Sequence, residues 1–250
     1  MKAILSEYFL ARLLRAPKTW LILGAQTAFS AWMLKSLTHT YLLQRGGEYL
    51  SYNAQFGVSE VVFYPYFVWV ALSFILVIPL LGGSLIAGER HSHSMVLFLG
   101  APLHRFSLVL GFWGALFAAS LLSLFVHIAM PCALYFGTSL DFYALLSQSL
   151  GLFLLVFMVS GLTILASALA EESVMATGIS LGLMGLLGFA AWLQSQNTSI
   201  YHFLVECSYW PRLQDFFQGI YKTQHVAYFL IVTLLSLILA SYKLEWEKRA

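Results

Sequence analysis

The sequence predicts an all-α membrane protein with six transmembrane helices. Sixty per cent of its 250 residues are hydrophobic and ten per cent are charged, whereas a soluble domain has roughly 45–50 % apolar and about 25 % charged residues. The apolar residues form continuous runs with the charges between them, which is typical of helices and not of the alternating strands of a barrel. The net charge of +2 gives no argument for nucleic-acid binding, and two cysteines are too few for a disulfide scaffold.

Six apolar runs approach or exceed the roughly 20 residues that a helix needs to cross a hydrocarbon core of about 30 Å. They cover residues 19–37, 63–87, 106–136, 143–169, 174–193 and 225–242. Residues 1–18 predict an amphipathic helix lying along the membrane surface, because apolar and basic residues fall on opposite sides. The two sides are Phe9, Leu10, Leu13 and Leu14 against Arg12 and Arg15. The whole chain, 1–250, is predicted to form a single transmembrane domain.

The lysines and arginines predict that both termini are cytoplasmic, since cytoplasmic loops carry the excess of basic residues. With the N-terminus inside, the inner set is Lys2, Arg12, Arg15, Lys18, Arg90, Arg105, Lys243, Lys248 and Arg249, and the outer set is Lys35, Arg45, Arg212 and Lys222. Loops 38–62 and 194–224 are then outside. The second loop is rich in aromatic residues, so we expect short helices at the outer interface before the sixth span.

The predicted spans are poor in ionisable groups. No Asp, Glu, Lys or Arg lies well inside any of them, which does not favour an ion-coupled transporter, because such proteins usually place charges within the membrane. We interpret His127 as a hydrogen-bonded packing residue. Gln26 and Gln148 are expected to form hydrogen bonds between helices.

The second and fifth spans contain residues that shape helix packing. The fifth span has one glycine-lined face, which lets another backbone approach closely. This face consists of Gly178, Gly182, Gly185 and Gly188. The glycines either pack within the chain or form a seam with a second subunit or a pathway wall. Pro65 and Pro79 can each kink the second span.

The most polar stretch of the chain lies between the second and third spans, in "AGERHSHSMVLFLGAPLHRFSLVLG". Ser92 or Ser94 can cap a short helix, the apolar residues 95–99 form its body, Gly100 can end it, and Pro102 prevents its continuation. The stretch therefore predicts a short amphipathic helix under the bilayer. We call residues 89–105 the coupling segment.

This stretch resembles the segment after the second helix in permeases of the ABC-2 family, also called type V ABC exporters. The matching residues are Glu89, Arg90, Leu97, Leu99, Pro102 and Gly111, with Ser94 in place of a threonine and Met95 in place of a leucine. Three positions depart from the pattern: His93 replaces a glycine, Val96 a glutamate and Phe112 a lysine. The stretch "LQDFFQGIYKTQHVAYFLIVTLLSLILA" is similar to the end of the gliding-motility-associated permeases, a subgroup related to copper-processing permeases.

The resemblance implies an ATP-driven exporter permease of the bacterial inner membrane, which is not itself an enzyme. The chain has no Gly-x-x-x-x-Gly-Lys-Ser/Thr phosphate loop, so ATP and magnesium would be held by a separate ATPase subunit, and no cofactor or metal is expected in this chain. The resemblance also implies a second permease chain, identical or related, which in the gliding-motility type is often a different protein with a large extracytoplasmic domain, and membrane lipid around the pair. Nucleic acid is not expected as a partner.

The resemblance also implies roles for particular residues. Coupling to the ATPase would involve Glu89, Arg90, Ser94, Met95, Leu97, Leu99, Pro102 and Arg105. The pathway or the seam between subunits would involve Pro79, Gly178, Gly182, Gly185 and Gly188.

Several alternatives remain open on the sequence alone. The chain can be a non-transporting anchor of an ABC-type complex. An intramembrane serine protease would use Ser139 or Ser180 with His225. A cytoplasmic metal site would use His91, His93 and His104. Cys132 and Cys207 can pair in an oxidising compartment. The sequence does not indicate the substrate.

Overall fold

The computed structural model describes residues 2–45, 57–91, 104–136, 142–189 and 205–249. Within these ranges the chain is helical apart from short turns, and none of the described residues forms a strand. The helices are α1 (Lys2–Arg15), α2 (Pro17–Arg45), α3 (Tyr64–Gly82), α4 (Ser84–His91), α5 (Arg105–Cys132), α6 (Phe142–Leu169), α7 (Ser173–Phe189), α8 (Trp210–Phe217) and α9 (Thr223–Arg249). A π-helical turn, Ser59–Phe63, precedes α3, and a 3₁₀ turn, Ala133–Phe136, follows α5.

Helix α6 lies at the centre of the bundle, where α3, α5, α7 and α9 pack around it. Small and hydroxyl-bearing residues allow the close approach, since a short side chain keeps two helix backbones near each other. Gly161, for example, lies against Thr233 of α9: a Cβ atom added at Gly161 would sit 2.8 Å from the Thr233 methyl group. The central helix of the fold is therefore apolar, and its small residues let neighbouring helices approach it closely.

The N-terminal helix α1 is packed against the body of the protein. Phe9 is 1 % exposed, and its ring stacks on Phe112 of α5 with 4.0 Å between the ring centroids. Leu13 is also buried, while Arg12 and Arg15 are exposed. Phe9 and Leu13 thus form an apolar side that contacts α5, with Arg12 and Arg15 on the exposed side, while the position of this helix along a membrane surface stays a prediction.

Four helical stretches are long and apolar enough to cross a membrane among the residues that the structure describes: Glu60–Arg90, Arg105–Cys132, Phe142–Leu169 and Thr223–Trp246. A fifth apolar stretch, Ser173–Gly188, is shorter. Helix α2 has 29 residues but carries many polar side chains along its length. The all-α membrane class is confirmed at this level, whereas the six-span topology stays a prediction.

The exposed surface of these helices is apolar. Phe125 on α5 and Leu186 on α7 are 76 % and 74 % exposed, and α9 exposes Leu234, Leu235 and Ile238. Contiguous apolar surface of this extent is typical of contact with lipid or with another protein. The fold and its surface therefore define the chain as a membrane-embedded helical protein.

The end of the molecule opposite α4 is closed by α8, the short helix expected before the last span. Ser147 and Gln148 of α6 donate hydrogen bonds to the carbonyls of Phe216 and Phe217 at 2.8 and 2.9 Å. Gly219 follows α8 with a φ of +81°, a left-handed conformation that favours glycine and ends the helix. Residues 194–204 of the predicted outer loop lie outside the described residues, as does the end of the predicted fifth span, 190–193.

Candidate coupling site

The second predicted span is broken at Gly83, which separates α3 from α4. Pro79 lies inside α3, and the backbone N–H of Gly83 donates to the Pro79 carbonyl at 2.9 Å. Pro65 lies in the first turn of α3. Proline has no backbone N–H, and it is tolerated there because the N–H groups of a first turn have no partner within the helix. The helix is thus interrupted at one residue, four positions after Pro79, and Gly83 itself keeps right-handed helical dihedral angles, with φ −56° and ψ −31°.

The break depends on the close approach of neighbouring helices to two glycines. A Cβ atom at Gly82 would lie 2.4 Å from a methyl group of Leu116, and one at Gly83 would lie 2.5 Å from the Thr177 hydroxyl. A larger residue at either position would push α3 away from α5 or α7. The adjacent glycines are a turn signal in the sequence, and this signal could have predicted the break.

Ser167 of α6 joins the broken ends. Its hydroxyl accepts hydrogen bonds from the backbone N–H groups of Ile86 and Ala87, both at 3.0 Å, and donates to the Gly83 carbonyl at 2.9 Å. The first N–H groups of a helix have no partner within the helix, so Ser167 serves α4 as a cap supplied by another helix. Any displacement of α4 must either carry α6 with it or break these bonds.

Glu89 lies two residues before the end of α4 and forms an ion pair with Arg12 of α1. Because α1 packs on α5, it brings Arg12 over the end of α4, and Glu89 is only 5 % exposed. Loss of Arg12 would leave a nearly buried carboxylate without this partner. This loss costs more than the roughly 0–1 kcal/mol that is typical of an exposed pair.

Arg90, the neighbour of Glu89, reaches the other side of α4. Its guanidinium donates to the carbonyl of Ala168 at 3.0 Å and to that of Ala170. These carbonyls lie at the end of α6, where unpaired carbonyl groups and the helix dipole favour a cation. The residue therefore ties the stem of the coupling segment to the central helix.

The rest of the coupling segment is described only at its far end. Arg105 is half-buried and begins α5, so it returns the chain to the bundle as predicted. Ser94, Met95, Leu97, Leu99 and Pro102 lie outside the described residues, as does His93. The role of these residues in coupling stays a prediction.

The glycine face of α7 is open. Among the described residues, no atom lies within 4 Å of a Cβ added at Gly178, Gly182 or Gly185, whereas one at Gly188 would meet the Tyr209 hydroxyl at 2.7 Å. Burial raises the pKa of Tyr209 to about 12, so its hydroxyl stays protonated. Of the four glycines, Gly188 is the one that packs against another part of the described chain. The other three leave room for a second subunit or a pathway.

An apolar groove of about 610 Å³ adjoins this face, between α3 and α7. Its lining includes Trp69, Leu72, Met184, Gly185 and Trp210. The groove thus combines the two spans for which the sequence predicted a pathway or a subunit seam. Pro79 lies further along α3 and is buried.

A small polar network connects α2, α3 and α5 inside the bundle. Gln26 donates to Ser73 at 3.0 Å and accepts from Ser123 at 3.0 Å, while the Nδ1 of His127 lies 2.6 Å from the Ser123 carbonyl. His127 is fully buried, and Tyr66 donates to its carbonyl at 3.0 Å. The predicted bonds between helices at Gln26 and Gln148 are confirmed, and His127 is a hydrogen-bonded packing residue.

The protease alternative finds no pairing of Ser180 with His225 among the described contacts. Ser180 is buried and its hydroxyl lies 3.0 Å from that of Thr163. His225 begins α9, with its Nδ1 3.7 Å from a carboxylate oxygen of Asp215. Ser139 lies outside the described residues. A nucleophilic serine needs a base within hydrogen-bond reach, and Thr163 cannot serve as one.

The remaining alternatives concern thiols and histidines. Cys132 and Cys207 are free thiols in this structure. Of the three histidines considered for a metal site, His104 is exposed, and the side chains of His91 and His93 are outside the described part of the chain. The histidine site is therefore not tested.

Fold and surface together define an α-helical membrane protein. Its second predicted span ends in α4, which is bonded to α1 and α6. A comparison with protein-family models finds no match, and a comparison with curated proteins finds none. The class is therefore shown at the level of the membrane-embedded helical bundle, and a more specific function is a proposal.

Proposed function

We propose that this chain is the transmembrane permease subunit of an ATP-driven ABC exporter of the ABC-2 type, working with a separate ATPase subunit. The observation that carries the proposal is the double attachment of α4. Glu89 ties the helix to α1, and Arg90 ties it to the end of α6. These two residues are the first of the coupling segment, so a force from a cytoplasmic partner on that segment would be transmitted to the bundle through them.

The packing provides a route for such a push. Arg90 and Ser167 connect α4 to α6, and α6 contacts α3, α5, α7 and α9. Packed helices shift as units because a close-packed interior does not deform continuously. A displacement of α4 would therefore move α6 and, through it, the α3–α7 groove.

A second permease chain, identical or related, would pair through the open face of α7. Gly178, Gly182 and Gly185 leave room for another helix backbone, and the groove beside them is apolar. Helices in a membrane associate through such small-residue faces. Both termini would be cytoplasmic, as the distribution of basic residues predicts. The bacterial inner membrane follows from the resemblance to ABC-2 permeases.

The first test is the identity of the partners. We expect the tagged chain, purified in mild detergent from its own membrane, to bring down a protein with a phosphate loop. Reconstituted ATPase activity should then change when the chain is present. A preparation that reproducibly lacks such a protein under conditions that preserve other membrane complexes contradicts the proposal.

The second test addresses coupling through Arg90. We expect Arg90→Ala to keep the ATPase bound but to weaken the effect of the permease on ATP hydrolysis, because α4 loses its contact with the end of α6 and keeps only the bonds to Ser167. Arg15→Ala, which removes an exposed arginine from the same end of the molecule, is the matched control and should behave as wild type. A wild-type effect on hydrolysis in the Arg90→Ala complex would show that coupling does not pass through Arg90.

A further inference from the structure

A second cavity lies at the end of the bundle where α1, α2 and α4 meet. Its volume is about 260 Å³, and unlike the α3–α7 groove it is lined by charged and polar residues as well as apolar ones. The polar lining includes Arg12, Lys18 and Ser84, and the apolar lining includes Phe9, Leu13 and Leu85. A mixed lining of this kind suits an amphipathic ligand.

The polar residues of the cavity carry excess positive charge. Arg12 and Lys18 line the cavity with one carboxylate, Glu89, so the three groups sum to +1. Glu89 is 5 % exposed and is paired with Arg12, whereas Lys18 is exposed, with its Nζ 3.3 Å from the Ser84 hydroxyl. An ammonium has three donors, so Lys18 can bond an anionic oxygen while it keeps Ser84.

We propose that this cavity binds the phosphate headgroup of an anionic phospholipid. The phosphate would lie against Lys18 and the outer side of Arg12, and the first part of an acyl chain would follow Leu13 and Leu85. The inference requires only that the chain lies in a membrane, and it does not depend on a transport function.

The position of the cavity supports a lipid as the source of the phosphate. It lies beside Glu89 and Gly88, at the end of the membrane-crossing stretch Glu60–Arg90, where headgroups are found. Negative headgroups attract basic residues next to a span. Phe9 and Leu13 are nearly buried against the fold, so the apolar surface that favours a lipid over a free phosphate ion comes mainly from the half-buried Leu85.

The size supports a headgroup and not a whole ligand. Pockets for drug-sized molecules enclose roughly 300–1,000 Å³, and this cavity is smaller. A phospholipid whose phosphate is held there would keep most of its tails in the bilayer. Such a lipid would bridge Lys18 of α2 to Ser84 of α4, next to the Glu89–Arg12 pair.

The test is a lipid titration of the full chain, purified in a neutral detergent and followed by native mass spectrometry. The probes are phosphatidylglycerol, phosphatidylcholine with the same tails, and soluble glycerol phosphate. We expect phosphatidylglycerol to bind most tightly. Equal binding of the two lipids, or equally tight binding of glycerol phosphate, overturns the proposal, since the first needs no basic site and the second needs no tails.

A pair of variants separates the site from general attraction to a basic surface. Lys18→Gln should weaken phosphatidylglycerol binding roughly fivefold, the effect of about one basic residue near an anionic surface, while Lys18→Arg should retain it. Arg15→Gln removes the same charge from an exposed position outside the cavity and should change binding less than twofold. Equal losses in Lys18→Gln and Arg15→Gln, or no loss in either, overturn the site.

Discussion

Helices α6 and α7 contain two and four glycines within apolar sequence, but the glycines of the two helices have different surroundings. On α6, a Cβ atom at Gly151 would lie 2.8 Å from the side chain of Phe216, and one at Gly161 would lie 2.8 Å from Thr233. On α7, the positions of Gly178 and Gly182 face open space. The glycines of α6 are therefore part of the fold of this chain, whereas Cβ atoms at Gly178, Gly182 and Gly185 of α7 would contact no neighbouring helix in the described part of the chain, so these positions are available to a partner.

Burial separates the helices in the same way. The membrane-crossing window of α6 is 78 % buried, and that of α9 is 28 % buried, although both are apolar enough to span a membrane. Hydrophobicity alone therefore does not distinguish a helix that faces protein from one that faces lipid. Three substitutions test this contrast, in decreasing order of their expected effect on the stability of the isolated chain.

Gly161→Leu should have the largest effect. The leucine side chain would overlap Thr233 on α9, and overpacking of a close-packed interior costs about 1–3 kcal/mol, with this position near the upper limit. We expect a lower thermal unfolding midpoint of the chain in detergent, measured by tryptophan fluorescence, while membrane insertion is retained. An unchanged midpoint would show that α9 does not pack on α6 at this position.

Ser167→Ala should have an intermediate effect. It removes the cap that α6 supplies to α4, and loss of a helix N-cap costs about 0.5–2 kcal/mol. Amide hydrogen exchange at Ile86 and Ala87 should accelerate, because Ser167 accepts both of their N–H bonds.

The matched control for this substitution is Ser160→Ala. Ser160 is buried on the same helix but bonds only to the carbonyl of Phe157 among the described contacts, at 2.9 Å. It should leave exchange in α4 unchanged. Equal acceleration in both variants would show that the response comes from general loosening of α6.

Gly182→Leu should have the smallest effect on the isolated chain, because the position is open. Its effect should instead be on association, with at least a tenfold loss, about 1.4 kcal/mol, in pairing with a second permease chain. Co-purification of differently tagged subunits from one membrane measures it, with the equally open Gly24→Leu on α2 as the control. Normal pairing of Gly182→Leu would show that this face contacts lipid.

The helices themselves could largely be predicted from the sequence. The predicted span 143–169 corresponds to α6, Phe142–Leu169, and the predicted span 106–136 covers α5 together with the 3₁₀ turn that follows it. Helices α2 and α9 extend beyond their predicted spans into polar sequence. Such extensions are missed because hydropathy marks the part of a helix that lipid can cover and not the end of its hydrogen bonding.

The candidate site was predicted only in part. The sequence pointed to Glu89 and Arg90, but their partners, Arg12 and the end of α6, lie about 80 positions away in the chain. Ser167 and Lys18 were missed for a related reason, since one serine or lysine has no periodic pattern. The signal that could have helped was the pair Gly82–Gly83, which marks the break before α4.

The sequence by itself determined the solvent of this protein and the secondary structure that this solvent requires. Long apolar runs must avoid water, and a backbone within lipid must satisfy its hydrogen bonds internally, so helices follow from composition alone. Only the tertiary structure decided which glycines pack, which face of each helix meets lipid, and which arginine neutralises Glu89. These outcomes depend on contacts between distant positions of the chain, and a one-dimensional hydrophobic pattern carries no information about which helix lies beside another.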